Sequence, residues 1–129
     1  MDTTSNHPLS VQVDHILCPV DFDPLSRKAA ERAAQFARQL HARLVLLHVQ
    51  PAPTVVMPMG GMAPAVSLSS ERDRIEAIDR EASSDELELM AGALGTDLDI
   101  EHRVVLGSGS VARSILDAAE ETPTQLIVI

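Results

Sequence analysis

Two continuous apolar runs on either side of one amphipathic segment are the feature that most constrains the fold of this chain. The first run is HILCPVD, residues 15–21, and the second is ARLVLLHVQ, residues 42–50. Short apolar runs without alternation are typical of strands buried on both faces. Between the two runs, Asp23 can cap a helix whose first residue is Pro24. The pattern therefore predicts a right-handed β-α-β unit and a parallel sheet covered on both sides.

The segment after the second run predicts a loop followed by a long helix. Residues 51–68, PAPTVVMPMGGMAPAVSL, are rich in Pro, Gly and Met. We expect this segment to be a mobile excursion over the surface. Ser70 with Asp73 three residues later resembles a capping box, so we expect the second helix to begin there and to stop at Gly95.

The last third of the chain predicts another strand, helix and strand. DIEHRVVL is the third strand, and the following GSGS places Ser110 as the cap of a third helix that ends near Pro123. TQLIVI is the fourth strand. The 129 residues are expected to form a single domain, residues 1–129. The four parallel strands are predicted to end near Val20, Gln50, Leu106 and Ile129.

Helical spacing also predicts which side chains each helix buries. In the first helix they are Ala29, Ala30, Ala33, Phe36, Ala37 and Leu40. In the second they include Ile75, Ile78, Ala82, Leu89, Met90 and Ala93. In the third they are Val111, Ile115, Ala118 and Ala119. The second helix also carries eight of the nineteen acidic residues. A solvated face is the simpler interpretation of these residues, and a metal or basic partner is the alternative.

Composition limits the function. Aromatic residues make up 2% of the chain, without Trp or Tyr, and the formal net charge is −9. A chain without stacking side chains or a basic stripe is not expected to bind nucleic acid. No apolar window is long enough for a membrane span, so we expect no membrane partner. The single cysteine, Cys18, lies in an apolar run, which favours a core position, a reducing compartment and a cytoplasmic location.

Candidate site residues follow from the expected sheet. Ligands of open parallel sheets bind beyond the carboxyl ends of the strands, where Asp21 is expected. Its carboxylate could hold a ribose hydroxyl or a metal, or could satisfy nearby backbone donors, and the residues alone favour neither role. The GSGS turn could receive phosphate, although a turn with a helix cap is the simpler interpretation. His48 is interpreted as a packed histidine, and the histidines and single cysteine predict neither a catalytic site nor a metal site.

Two segments resemble the universal stress protein family. The first, ILCPVDFDPLSRKAAERAAQFARQLHARLVLLHVQP, has a strand ending in Pro-Val-Asp, a Phe, an Ala-rich helix and a strand ending in Leu-Leu-His-Val. The second, VVLGSGSVARSILDAAEETPTQLIVI, is similar to the family's third strand, Gly turn, Ile-x-x-Ala-Ala helix and fourth strand. The resemblance implies an α/β fold that is flavodoxin-like, or adenine nucleotide alpha hydrolase-like, with an open parallel sheet in three α/β/α layers.

The resemblance also implies a site. In one branch of the family, ATP is held at the strand ends, with adenine and ribose contacts that would fall on Pro19, Val20 and Asp21, and with Val49 lining the adenine. The family's Gly-rich phosphate loop, last helix and fifth strand would follow Ile129, and residues 1–129 do not include them. A second departure is Gln125, where the family usually has Asp.

We therefore expect a nucleotide-linked stress-response or signalling module that is not an enzyme. The alternative is a non-nucleotide-binding member that acts as a protein-interaction or dimerisation module. ATP is the implied cofactor, but we expect weak binding, because losing three charge-assisted phosphate contacts removes roughly 4–9 kcal/mol. That loss lowers affinity by about a thousandfold or more. We also expect a homo-oligomer, because the fourth strand would have an unpaired apolar edge.

Overall fold

A computed structural model of the chain describes residues 12–51, 65–107 and 109–129, for residues 65–69 the backbone alone. Strands and helices alternate along the described chain. Their bounds are β1 His15–Pro19, α1 Pro24–Leu40, β2 Arg43–Gln50, α2 Ala65–Leu94, β3 Ile100–Leu106, α3 Val111–Glu121 and β4 Leu126–Ile127. This is the predicted order of elements. None of the helices in the described ranges is long and apolar enough to cross a lipid bilayer.

The four strands form one sheet in the order β3-β2-β1-β4, and every neighbouring pair is parallel. The predicted parallel sheet is therefore confirmed. β1 ends at Pro19 and β4 at Ile127, slightly before the predicted ends at Val20 and Ile129. The backbone hydrogen bonds of the sheet nevertheless continue beyond both strands. The Val20 N–H donates to the Leu47 carbonyl at 2.8 Å, and the Val128 N–H donates to the Leu17 carbonyl at 2.9 Å.

Helices cover both faces of the sheet, which gives three α/β/α layers. On one face, α1 and α2 pack against β1 and β2 through small and branched residues, among them Ala33, Ala37, Cys18, Leu46 and Leu87. The alanines of α1 let that helix lie close to the strands. On the other face, α3 packs through Ala118, with Ile115 and Ala119 partly buried, against Leu17, Val45 and Leu47.

The predicted helix caps of α1 and α3 are confirmed. The Asp23 carboxylate accepts the Ser26 N–H at 2.6 Å, and Pro24 is the first residue of α1. The Ser110 hydroxyl accepts the Arg113 N–H at 3.1 Å at the start of α3. Gly95 directly follows α2 and has a φ of 126°, a left-handed conformation that strongly favours glycine.

The predicted start of α2 is wrong. The helix begins at Ala65, so Ser70 lies inside it and does not cap it, and residues 65–68 of the expected excursion are helical. Nothing in this stretch of the sequence breaks a helix after Pro64, and Pro suits the position just before one or its first turn. Residues 52–64 lie outside the described residues, so the predicted mobility of that segment stays a prediction.

Several predicted core positions are also wrong. The residues that the structure leaves exposed are Phe36, Leu40, Ile78, Ala82, Leu89, Ala93 and Val111. The residues buried without having been predicted are Ala34, Leu87 and Ser114. Apolar residues occur on more than one face of α1 and α2, so spacing alone does not decide which of them meets the sheet.

The unusual Gln125 lies at the amino end of the sheet. Its Oε1 accepts two backbone N–H groups of the β1 start, from Asp14 at 2.8 Å and from His15 at 2.9 Å. The residue therefore ties β4 to β1. Because parallel strands begin at the same edge, this departure from the family pattern lies at the opposite edge from the strand ends where ligands bind.

Candidate functional site

A cleft of about 410 Å³ opens beyond the carboxyl ends of β1 and β2, between the first turns of α1 and α3. This volume lies within the range of small-molecule sites. The strands contribute Pro19, Val20, Leu47, His48 and Val49, and the turn after β1 contributes Asp21. The helices and the chain end contribute Asp23, Leu25, Ser26, Ala29, Val111, Ile115 and Ile129.

All four residues implied by the family resemblance line this cleft. Val20 is buried, Pro19 and Val49 are half-buried, and Asp21 is exposed at the mouth. The predicted position of Asp21 beyond the strand end is therefore what the structure shows. The structure brings the four residues together because β1 and β2 are parallel neighbours with Pro19 opposite Leu47.

Hydrogen bonds between Asp21, Asp23 and Ser26 order the turn that follows β1. The Asp21 Oδ1 accepts the Asp23 N–H at 3.2 Å, and the Ser26 hydroxyl accepts the Asp21 N–H at 3.3 Å. The Asp23 N–H, and then the Ser26 hydroxyl, lower the pKa of the Asp21 carboxyl below its ordinary value. Asp21 is thus a carboxylate at neutral pH, and it can accept hydrogen bonds from a ligand's hydroxyl groups.

Phe22 and His48 hold the other side of this turn. Phe22 has a φ of 70°, a left-handed conformation that is unusual for a bulky residue and that tends to occur at functional sites. Its ring centroid lies 4.6 Å from that of His48. The His48 Nδ1 is 2.8 Å from the Val20 carbonyl oxygen. Because a carbonyl only accepts, Nδ1 carries the hydrogen of this bond.

The loop before α3 approaches β2 closely. The Gly107 N–H donates to the Gln50 carbonyl at 2.8 Å, and a Cβ on Gly107 would lie 3.1 Å from the Val49 Cγ1. A side chain at Gly107 would therefore press on a residue that lines the cleft. Ser110 acts as a helix cap, as the simpler interpretation of GSGS predicted. Ser108 lies outside the described residues.

Sequence reasoning missed several lining residues. Leu25, Val111, Ile115 and Ile129 complete an apolar wall, and His48 joins it as well. No signal marked Leu25 or Ile129, because both are placed at the cleft only by the way the helices and β4 meet the sheet. The periodicity of α3 could have pointed to Val111 and Ile115, but it assigned them to the core.

Cys18 is the single cysteine of the chain, and it is buried. Burial raises the pKa of the Cys18 thiol to about 12, so this cysteine is a core residue. Within the described ranges, no three His, Cys, Asp or Glu side chains are grouped so that they could hold a metal ion.

Comparisons with known proteins by sequence and by structure point to one family. The model of the universal stress protein family matches residues 12–129. The chain is similar to the universal stress protein UspA from Lactobacillus plantarum, with 23% identity, coverage of 92% of this chain and 77% of that one, and a TM-score of 0.62. A family member from Burkholderia pseudomallei shows 20% identity, coverage of 92% and 81%, and a TM-score of 0.56.

A further similar structure is a universal stress protein in complex with cAMP, with 25% identity, coverage of 92% of this chain and 77% of that one, and a TM-score of 0.55. No curated protein gives a significant match. These likenesses agree with the open parallel sheet in three layers, and the family model extends over nearly all of the sequence. The chain belongs to the universal stress protein family.

Proposed function

We propose that this domain is a nucleotide-linked stress-response or signalling module that binds an adenine nucleotide in the cleft at the ends of β1 and β2. One observation carries the proposal: an ionised, exposed carboxylate, Asp21, stands at the mouth of an otherwise largely apolar cleft. An apolar cleft with a few polar groups at fixed positions is the common form of a cofactor site. The similar structure in complex with cAMP supports the choice of an adenine ligand.

In this proposal the base and the sugar have separate contacts. Adenine lies against Val20 and Val49, with Pro19 at its edge, and is shielded by the apolar side chains of α3. The Asp21 carboxylate accepts hydrogen bonds from the ribose hydroxyls. The apolar contacts and the ribose contact provide most of the affinity.

Calorimetric titration of cAMP into the chain and its Asp21→Asn variant tests the proposal. Asparagine keeps an oxygen that can accept the Asp23 N–H, so the turn is retained while the charge is lost. A hydrogen bond to a charged group contributes about 1.5–3 kcal/mol, so we expect affinity to fall by about tenfold to a hundredfold. Asp85→Asn, an exposed residue of α2, is the charge-matched control and should bind as the parent does. Equal affinity of all three proteins would contradict the site.

We propose binding without catalysis. The polar groups at the cleft mouth serve the turn itself, since Ser26 also donates to the Asp23 carbonyl at 3.1 Å. His48 Nδ1 is held by the Val20 carbonyl. A reduced, buried Cys18 fits a cytoplasmic location.

A second candidate function is a protein-interaction module that forms a homo-oligomer. The order β3-β2-β1-β4 leaves β4 at one edge of the described sheet, and Ile129 beside it is 88% exposed. An apolar strand edge is a template for another chain. In this alternative Asp21 serves only the turn, through its bond to the Asp23 N–H. Sedimentation velocity over a range of concentrations should show a dimer, and a monomer at every concentration would exclude this candidate.

A further inference from the structure

We infer that the cleft selects adenine ligands with little or no phosphate charge, so that adenosine and cAMP bind more tightly than AMP, and AMP more tightly than ATP. The inference rests on the proposed adenine-binding function and specifies the ligand class of the same cleft. It follows from where the chain places its charges. Three observations carry it: the positions of the cations, the two carboxylates at the cleft mouth, and the state of the two neighbouring helix ends.

The lysine and arginine side chains are the first observation. The sequence has ten Lys and Arg residues, and all of them fall within the described residues, because residues 1–11, 52–64 and 108 contain none. Seven are held in ion pairs with acidic residues: Arg27, Arg38, Arg43, Arg72, Arg74, Arg103 and Arg113. The other three, Lys28, Arg32 and Arg80, are exposed on α1 and α2. No lysine or arginine of the described chain lines the cleft.

Anionic groups, in contrast, stand at the cleft mouth. Asp21 and Asp23 both line it. The Asp21 Oδ1 is bonded to the Asp23 N–H, and the Asp23 Oδ1 to the Ser26 N–H, so both carboxylates are fixed near the entrance. The formal net charge of −9 adds to the same field. A phosphate that enters this cleft meets like charge, and each further phosphate adds to the repulsion.

The helix ends do not offset this charge. The positive end of α1 already has the Asp23 carboxylate as its cap. The positive end of α3 is capped by Ser110, which is neutral, so its remaining backbone N–H groups can receive one anion. Arg113, in the first turn of α3, is paired with Asp117 at 3.5 Å. We therefore expect the cleft to accept a ligand with one phosphate charge and to disfavour the several charges of a triphosphate.

The test compares four ligands, adenosine, cAMP, AMP and ATP, by calorimetry on the full 129-residue chain. The buffer contains EDTA at about pH 8, above the histidine pKa of model peptides. We expect adenosine to bind at least about tenfold more tightly than ATP at about 0.01 M ionic strength. The ratio should shrink at about 1 M, because the Debye length falls from about 30 Å to about 3 Å. ATP binding as tightly as adenosine would overturn the inference and leave the adenine site intact. If none of the four ligands binds, the proposed function itself fails.

A pair of variants on one helix makes the charge argument specific. Val111 lines the cleft and is 60% exposed, whereas Leu116, five residues along α3, is 50% exposed and is not in the cleft lining. Val111→Lys should raise the affinity for ATP relative to adenosine by about tenfold. Leu116→Lys adds the same charge to the same helix and should leave the ratio unchanged. Equal effects of the two variants, or none, would overturn the inference.

Discussion

The turn after β1 shows at the scale of single residues how the cleft is built. Asp21 could be placed there from the sequence, because a buried strand followed by the Asp23-Pro24 helix start puts the intervening residue beyond the strand end. The left-handed backbone of Phe22 and the bond from His48 to the Val20 carbonyl could not be predicted. The bond from His48, and its ring contact with Phe22, require β2 to lie beside β1, which local sequence does not encode.

The Arg38–Asp97 pair gives a pH dependence with a definite sign. The Arg38 Nε donates to Asp97 at 2.8 Å, and this bond lowers the pKa of the Asp97 carboxyl below its ordinary value of 3.8. A carboxyl whose pKa is lowered by folding adds stability above that ordinary value, and the stability is lost as pH falls through the folded pKa. The pair is exposed, so its contribution is small and weakens with salt.

We therefore expect Asp97→Asn to lower the free energy of unfolding at neutral pH, and the difference from the parent to shrink as pH falls below about 4. Urea unfolding of both proteins between neutral and acid pH measures this. High salt is the control, since it should reduce the difference at neutral pH. A difference that grows on acidification would contradict the assigned role of the pair.

At the scale of elements, α2 shows where sequence patterns succeed and where they fail. Its end was predicted, because Gly95 supplies the left-handed residue that follows a helix. Its start and its buried face were not. The helix carries apolar residues on several sides, and only packing on β2 and β3 selects Leu87 and Met90 for the core. A helix with a clearly one-sided apolar stripe would have allowed a firmer prediction.

Two leucines of α2 test this packing with the same chemical change. Leu87 is fully buried, whereas Leu89, two residues later, is 71% exposed. Leu87→Ala should lower the free energy of unfolding by about 2–5 kcal/mol, because it leaves a cavity against the sheet. Leu89→Ala should change it by less than about 0.5 kcal/mol. Urea unfolding gives both values, and equal losses would show that the described orientation of α2 is wrong.

At the scale of the whole molecule, the sheet determines where function can lie. The two β-α-β signals were enough to predict parallel strands in a layered fold. They did not predict that β4 would lie beside β1, which is what brings Ile129 to the cleft. The apolar wall of the site comes from this long-range arrangement. Asp21 was placed at a strand end from the residues alone, and Pro19, Val20 and Val49 came from the family resemblance. The structure supplies their neighbours.

The same arrangement separates two ends of the molecule. The carboxyl end of the sheet carries the apolar cleft with Asp21 and Asp23 at its mouth. The amino end carries ion pairs, in which Arg38 and Arg43 hold Asp97 and Asp99. Charged side chains at the amino end thus pair with one another. At the carboxyl end, the carboxylates at the cleft mouth can accept hydrogen bonds from a ligand. This contrast is why we assign binding to the carboxyl end.

The most direct test of that assignment is an NMR titration of the isotopically labelled chain with cAMP. We expect the amide signals of Val20, Asp21, Val49 and Gly107 to shift together and to saturate, while those of Asp14, Arg43 and Asp97 at the other end stay in place. Shifts centred on the amino end of the sheet, or no shifts at several millimolar cAMP, would contradict the account.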